Sequence, residues 1–312
     1  MSPQVIKQVD IAICTWNRDA LLAQTLDSIS RVRVPAAVTV SVLVVDNNST
    51  DHTSSVVTSF AVAAKDRLSV ERLTESQQGH TVCRNRAIDS AVGDLLVWTD
   101  DDVIVAPEWI EQYVEAANSN PEVAFWGSVI EPIFPDGCPD WIQQNWENVK
   151  GCYAARDLGR QPVAFDANRL PYGANYAIRT SIQKQFPFST HLGRSGSLVM
   201  GEDELDVFRR ILAAGHRGHW VPDAKLQHVI TSNRTTERYA YDYFVGQGRA
   251  LVAKQNAWHD QVEKFKSEAR AEYWKYKLKR RFSASPTWVS HLLRSALAQG
   301  QYEALNAKRQ PN

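Results

Sequence analysis

Short apolar runs alternate with stretches of helical spacing over the first hundred residues. Runs rich in β-branched residues end at polar turns, and segments with apolar residues three or four apart separate them. Strands that are apolar along their whole length are typical of a parallel sheet covered by helices on both faces. The pattern therefore predicts a doubly wound α/β fold. In β-α-β-α-β-α-β order, the segments are VDIAICT, DALLAQTLDSIS, VTVSVLVVD, TSSVVTSFAVAA, LSVERL, TVCRNRAIDSAV and LLVWTD.

Beyond Pro107 the pattern is less regular. It predicts a helix to about Asn118 and three further strands, VAFWGSVI, YGANYAI and HWVPDAKLQHVI. A glycine-containing loop, Leu192 to Gly201, precedes a helix that begins near Glu202 and should end at Gly215, where a C-cap glycine belongs. The rest of the chain is helical in pattern.

The helical C-terminal part is basic, although the whole chain is neutral. The segment from Lys254 to Arg281 contains nine Lys or Arg and four Asp or Glu, whereas the whole chain contains 35 residues of each sign. The surplus predicts either a solvated helix face or a surface that contacts anionic lipid or a phosphate-bearing acceptor. Zero net charge argues against a protein whose whole surface attracts nucleic acid.

Composition places the chain among cytoplasmic globular proteins. The four cysteines form no C-x-x-C pair, so neither a zinc cluster nor a disulfide framework is expected. The N-terminus lacks the apolar stretch of a signal peptide, and no run approaches the roughly 20 apolar residues that span a bilayer. A reducing cytoplasm is the predicted location.

The strongest candidate for chemistry is the acidic triplet Asp100, Asp101 and Asp102 after the apolar LLVW. Carboxylates about 4 Å apart repel by roughly 4 kcal/mol at an effective dielectric near 20, so a divalent cation would stabilise them. Oxygen ligands suit Mg²⁺ or Mn²⁺, which bind diphosphates. If the chain stays extended, Asp100 and Asp102 face one side and Asp101 the other. The alternative is a solvated acidic turn that caps a helix.

Polar residues at the ends of the first two predicted strands should lie on the same edge as the triplet. Asp46 could accept a hydrogen bond from an imide N–H or cap the next helix. Thr15, Asn17 and Arg84 add donors, and Arg84 could meet a phosphate. Each of these three, taken singly, also fits a capping or surface role.

Three candidates lie later in the chain. Asp203 stands in a Glu-Asp-Glu run at a helix start, where the macrodipole favours acids, and it could equally be a general base. His228 could ligate the same metal or be a buried core histidine. Arg234 could neutralise a leaving diphosphate or be a surface arginine.

Taken together, six motifs resemble a family 2 glycosyltransferase of the GT-A fold, from about Val9 to Ile230. The resemblance implies an α/β, Rossmann-like, mostly parallel sheet and inverting transfer from a nucleoside-diphosphate sugar, most simply a UDP-sugar. The acceptor would be a glycan or a lipid-linked molecule in bacterial surface polysaccharide synthesis. No Q-x-x-R-W follows Asp203, so a processive synthase is not expected. The motifs are CTWNR, VVDNNSTD, GHTVCRNRAI, WTDDD, GANYAIR and GEDELDVFRR.

The resemblance also assigns roles to residues. Asp203 would be the catalytic base, and Asp102 with His228 would hold Mn²⁺ or Mg²⁺. The donor nucleotide would be bound by Thr15, Asn17, Arg18, Asp46, Arg84, Asp100, Asp101 and Arg234.

We divide the chain accordingly into residues 1–232, the transferase domain, and residues 233–312, a helical extension predicted to contact the inner face of the plasma membrane peripherally. Within the first, 1–105 would bind nucleotide and 106–232 the acceptor. Two alternatives stay open: an inactive module that binds nucleotide sugar, and a metal-dependent phosphohydrolase.

Overall fold

A computed structural model of the chain describes residues 5–190, 194–195, 198–199, 203–254, 261–282 and 285–309. The strands are β1 (Gln8–Thr15), β2 (Thr39–Asp46), β3 (Ser69–Thr74), β4 (Leu95–Thr99), β5 (Val103–Val105), β6 (Val123–Gly127), β7 (Ile130–Ile133), β8 (Asn175–Arg179), β9 (Arg194–Ser195), β10 (Leu198–Val199), β11 (Arg217–Trp220) and β12 (Leu226–Val229). The α-helices are α1 (Asp19–Ile29), α2 (Thr53–Ala64), α3 (His80–Ser90), α4 (Trp109–Ser119), α5 (Asp140–Gln143), α6 (Trp146–Val149), α7 (Thr180–Gln183), α8 (Asp203–Ala213), α9 (Glu237–Lys254), α10 (Val262–Phe282) and α11 (Val289–Arg309). Short 3₁₀ turns cover Lys150–Tyr153 and Ser232–Arg234.

A mostly parallel sheet of seven strands forms the centre of the first of two compact units. The strand order is β11-β6-β8-β4-β1-β2-β3, and β8 alone runs antiparallel to its neighbours. The predicted α/β class is confirmed. Since β2 and β4 lie on opposite sides of β1, the strand order reverses there, and the crevice at the carboxyl ends of β1 and β4 is where such sheets bind ligands.

A second sheet has three strands in the order β5-β12-β7. Each of them follows directly in the chain on a strand of the large sheet, β5 on β4, β7 on β6 and β12 on β11. VAFWGSVI and HWVPDAKLQHVI were each predicted as one strand, and this is wrong: each contains two strands, one in each sheet. Pro222 explains the second break, because it has no N–H to donate and the chain turns there. The acidic triplet is itself the link from β4 to β5, so the chain bends there, and the condition of an extended strand is not met.

Both faces of the large sheet are covered by buried apolar side chains. Ile11 and Ile13 of β1 pack into one apolar cluster, and Ala12 between them packs into the other. The alternation follows the two-residue period of a strand, and the burial of both faces explains the continuous apolar runs in the sequence. Gly215, with φ of 88°, follows α8 as predicted, because glycine adopts the left-handed backbone at low cost.

The second unit contains Phe134–Tyr153, Arg194–Glu202 and Ile230–Asn312. Its main helices are α9, α10 and α11, in agreement with the predicted helical extension. A Cβ on Gly248 of α9 would lie 2.2 Å from the Leu297 carbonyl oxygen, so glycine allows α9 and α11 to approach closely. In the described ranges, none of the helices combines the length and apolar character needed to span a bilayer. The predicted boundaries at 105 and 232 stay predictions.

Candidate active site

Arg18 joins the two buried carboxylates of the acidic triplet. Its Nη1 lies 2.6 Å from Asp101 Oδ1, and its Nη2 lies 2.7 Å from Asp102 Oδ2. Asp101 and Asp102 are 3% and 2% exposed, whereas a third of the Arg18 side chain is exposed. Thr15, at the end of β1, donates its hydroxyl to Asp101 Oδ2 at 2.7 Å. The crevice between β1 and β4 therefore contains a closed carboxylate and guanidinium cluster.

The bend of the triplet determines which carboxylates share this cluster. Asp101 and Asp102 both contact Arg18. Asp100, the first residue after β4, is half-buried. Asp100 and Asp102 would share one side only in an extended chain, and the chain instead turns toward the second sheet. Burial raises the pKa of Asp101 to about 7, although the charge of Arg18 acts to lower it.

His228 reaches Asp102 from β12. Its Nε2 lies 3.3 Å from Asp102 Oδ1, and both side chains are 2% exposed. No group of three or more His, Cys, Asp or Glu positioned for a metal occurs among the residues described. Mg²⁺ and Mn²⁺ usually retain several waters and use one or two carboxylates plus substrate phosphates. One buried carboxylate beside one imidazole fits such an ion, which would take its other ligands from a diphosphate and water.

Asp46 ends β2 beside Thr15 in the parallel pair. Its carboxylate accepts hydrogen bonds from the Ser49 N–H at 3.0 Å and from Arg72 Nη1 at 3.0 Å. The alternative that Asp46 caps α2 is not what the structure contains, because Asp51 accepts the Thr53 N–H at the first residue of that helix. Arg72 was missed in the sequence, since nothing local indicates that its side chain reaches the end of β2.

Asn17 connects the loops that follow β1 and β2. Its φ is 50°, in the left-handed region that asparagine tolerates better than most residues. Its Oδ1 accepts the Thr50 N–H at 2.7 Å, and its own N–H donates to Ser49 Oγ at 3.0 Å. Asn17 therefore holds the edge of the crevice in shape.

A second charged cluster surrounds the predicted base. Arg84 is 3% exposed, and its Nη1 lies 3.0 Å from Asp203 Oδ2 and 3.6 Å from Glu204 Oε2. His80 Nδ1 lies 3.5 Å from the same Asp203 oxygen. The guanidinium also stacks on Phe188, with 5.0 Å from Cζ to the ring centroid. The buried partner of Arg84 is thus a carboxylate, a role that the sequence did not predict.

The two neighbouring carboxylates of this cluster differ in basicity. Burial raises the pKa of Asp203, but Arg84 and His80 outweigh it and hold the pKa far below its ordinary value. Burial and the adjacent Asp203 charge raise the pKa of Glu204 to about 7. Glu204 Oε1 also accepts the Gly173 N–H at 3.2 Å. Glu204 and His80 were missed because their importance depends on α3 and α8 meeting in space.

The remaining predicted site features lie elsewhere or outside the described residues. Arg234 belongs to the second unit, where its Nε lies 3.1 Å from the Tyr239 hydroxyl. Its predicted contact with a diphosphate stays a prediction. Most of the predicted glycine-containing loop from Leu192 to Gly201 lies outside the described residues.

Comparison with known sequences adds independent information. The model of the family described as glycosyl transferase family 2 matches residues 10–170. Over 237 residues the chain is 25% identical to succinoglycan biosynthesis protein ExoM of Rhizobium meliloti (strain 1021), covering 75% of this chain and 71% of that protein. Over 118 residues it is 35% identical to validoxylamine A glucosyltransferase of Streptomyces hygroscopicus subsp. limoneus, covering 37% and 25% of the two chains.

Solved structures resemble the chain over almost its whole length. Mannosyltransferase PcManGT from Pyrobaculum calidifontis, in complex with GDP-Man and Mn²⁺, has a TM-score of 0.56 at 18% identity, covering 98% of this chain and 76% of that one. S. aureus TarS 1–349 in complex with UDP has a TM-score of 0.56 at 14% identity, covering 97% and 91%. At these identities the likeness concerns the fold.

Proposed function

Since the chain belongs to glycosyl transferase family 2 and has the GT-A fold, we propose that it transfers a sugar from a UDP-sugar to an acceptor hydroxyl with inversion. One observation carries the proposal: buried Asp102 contacts His228 through one oxygen and Arg18 through the other, in the crevice where the strand order reverses. A divalent ion held by Asp102 and His228 would supply charge neutralisation for the leaving diphosphate.

Residues of the crevice would bind the donor. We propose that Asp46 accepts a hydrogen bond from the base, with Thr15, Asn17 and Arg18 along the nucleotide. Asp100 and Asp101 would line the ribose and diphosphate, as the resemblance of the motifs implies. Arg84 is better suited to hold the carboxylates of the second cluster than to meet a phosphate, because it is buried against Asp203.

Removal of the proton from the acceptor hydroxyl requires a general base. The sequence favours Asp203, whereas basicity and exposure favour its neighbour Glu204, whose side chain is 17% exposed against 5% for Asp203, and we propose Glu204 for this role. A base is most effective when its pKa lies near the working pH, which fits Glu204 at about 7. Asp203 is a weak base because Arg84 stabilises its charged form, and it would hold Arg84 in place.

The reaction would then be a single displacement. The acceptor oxygen attacks the anomeric carbon, its proton passes to the Glu204 carboxylate, and the bond from carbon to the diphosphate oxygen breaks. The bonding electrons leave with the nucleoside diphosphate, so the anomeric configuration inverts.

Binding of nucleotides tests the donor site. We expect UDP with Mn²⁺ to raise the melting temperature more than UDP alone or GDP with Mn²⁺, since ligands that bind the folded state stabilise it. Asp102→Asn and His228→Gln should abolish the contribution of Mn²⁺. Asp89→Asn, an exposed aspartate on α3, is the matched control and should change nothing. Absence of both nucleotide binding and slow donor hydrolysis across a panel of nucleotide sugars would refute the proposal.

Relatives support a proposal for the acceptor, and the cysteines support one for the location. ExoM is a succinoglycan biosynthesis protein, and another relative, from Haloferax volcanii, is a glucosyl-dolichyl phosphate glucuronosyltransferase. These support a glycan or lipid-linked acceptor in surface polysaccharide synthesis. We place the reaction in the cytoplasm, where the four free cysteines would stay reduced.

A further inference from the structure

Helix α10 of the second unit has two apolar faces. One is buried and contains Val262, Phe265, Ala269 and Tyr276. The other consists of Trp274, Leu278 and Phe282, which are 75%, 63% and 72% exposed. Residues four apart are offset by about 40° on a helix, so these three side chains form one stripe about 80° wide, nearly opposite the buried face. We call it the Trp274 stripe.

The Trp274 stripe concentrates exposed apolar surface on one short segment. Eight large hydrophobic side chains in the described part of the chain are strongly exposed, and four of them, the three of the stripe and Tyr273, fall within ten residues of α10. Single exposed hydrophobic residues are normal, but a contiguous stripe indicates a surface that contacts a partner.

Basic side chains flank the stripe on both sides. Helical geometry places Arg270, Lys277 and Arg281 on one side and Lys275 and Lys279 on the other. All five are exposed. The one acidic residue between 270 and 282, Glu272, is buried and contacts Lys275 of α10 and His291 of α11. The stripe and its flanks therefore present apolar surface inside a cationic border with no exposed carboxylate.

We propose that α10 lies on an anionic lipid bilayer, with the Trp274 stripe in the headgroup region. Trp, Phe and Leu on one face with Lys and Arg around them are the composition of helices that bind in the plane of a membrane interface. Lysine and arginine stems can extend along the apolar face while their charges reach lipid phosphates. The inference does not depend on the proposed transfer reaction, and its test uses neither nucleotide nor acceptor.

Charge favours a bilayer over a second copy of this chain. Two copies of the stripe placed face to face would bring ten cations together, and among the described residues only Lys275 of each copy has a carboxylate partner, Glu272. The repulsion between the unpaired cations would oppose such a dimer. An anionic membrane supplies the missing charge.

Vesicle co-flotation of the full chain tests the proposal. We expect binding to phosphatidylcholine vesicles that contain 30% phosphatidylglycerol and little binding to phosphatidylcholine alone. Each cation near an anionic surface contributes about five-fold in affinity, so Lys277→Gln with Arg281→Gln should weaken binding roughly twenty-fold. The triple variant Trp274→Ser, Leu278→Ser, Phe282→Ser should weaken it at least ten-fold, and 0.5 M NaCl should weaken it several-fold.

Controls separate this surface from general stickiness. Val62→Ser with Val92→Ser removes two exposed apolar residues of the first unit, 66% and 76% exposed, and should leave binding unchanged. Brominated lipids should quench fluorescence in the wild type and much less in Trp274→Phe. The proposal fails if vesicles of either composition bind equally or not at all, or if the α10 variants bind like wild type. It also fails if the stripe variants convert a dimer to a monomer, which would identify a protein interface.

Discussion

Arg18 and Asp102 are paired at 2.7 Å on the side of the carboxylate opposite to His228. Asp102 thus has a cationic partner on one oxygen and an imidazole on the other. The guanidinium supplies one positive charge to Asp101 and Asp102 from within the chain, in the crevice where we propose that a divalent ion binds.

Arg18→Gln should make the stability of the protein depend on metal. Loss of one partner of a buried ion pair costs 3–5 kcal/mol, and we expect about 2 kcal/mol here because Arg18 is one-third exposed. Mn²⁺ should recover part of this loss in the variant and stabilise the wild type less. Melting temperatures with and without Mn²⁺ measure both effects.

Arg33→Gln is the control for this prediction. Arg33 forms salt bridges with Glu108 and Glu111 on the exposed surface, where such pairs contribute 0–1 kcal/mol. Equal stabilisation of wild type and Arg18→Gln by Mn²⁺ would show that Arg18 and the ion do not share the carboxylates.

The pH dependence of turnover distinguishes the two candidate bases. A base acts in its deprotonated form, so kcat should rise with pH through about 7, the pKa of Glu204. Glu204→Gln should lower kcat by 10²-fold or more and remove this rise. Asp203→Asn removes the charge that raises the pKa of Glu204 and leaves Arg84 facing it, so the rise should move to lower pH.

Donor affinity serves as the internal control for the base variants. Both should bind UDP with Mn²⁺ like wild type if the cluster acts on the acceptor. If Asp203→Asn abolishes turnover at every pH while Glu204→Gln retains the wild-type profile, the base is Asp203, as the sequence predicted.

The lack of a side chain at Gly173 leaves room for the Glu204 carboxylate. A Cβ at this position would lie 3.0 Å from Glu204 Oε1 and 3.1 Å from Arg84 Nη2, closer than ordinary packing allows. Gly173→Ala should therefore displace the carboxylate and lower kcat roughly ten-fold with little change in donor affinity. Steady-state kinetics with varied donor measures the two effects separately.

Gly151→Ala is the matched change at an uncrowded glycine, since its Cβ would approach only the Tyr243 hydroxyl, at 3.6 Å. It should keep wild-type kinetics. A fully active Gly173→Ala variant would mean that the position of Glu204 is unimportant for turnover.

The sequence predicts β1, β2 and β4 of the large sheet well because burial on both faces leaves a continuous apolar signal. It fails at the turns from one sheet to the other, where Gly127 and Trp220 end strands whose continuation pairs with different partners. Asp101 and Asp102 could be located from sequence, since three adjacent acids are costly without a counter-charge. The pairing of Arg84 with Asp203 could not be predicted, because the two residues are 119 positions apart and no local pattern indicates which helices pack together.

Acid should destabilise the second unit through Glu272. Burial raises the pKa of this carboxyl, but hydrogen bonds from Lys275 and His291, with the charge of Arg294, outweigh it and lower the pKa to about 2. A carboxyl whose pKa is lowered by folding stabilises the protein above its unfolded value near 4.5, and the stabilisation is lost as pH falls toward 2. The free energy of unfolding should therefore drop by about 2–3 kcal/mol over that range from this group.

Glu272→Gln should remove this part of the pH dependence, whereas Glu263→Gln, at a residue 78% exposed on the same helix, should not. Urea unfolding between pH 7 and pH 2.5 gives the comparison, and parallel curves for wild type and Glu272→Gln would show that the carboxyl has no such role.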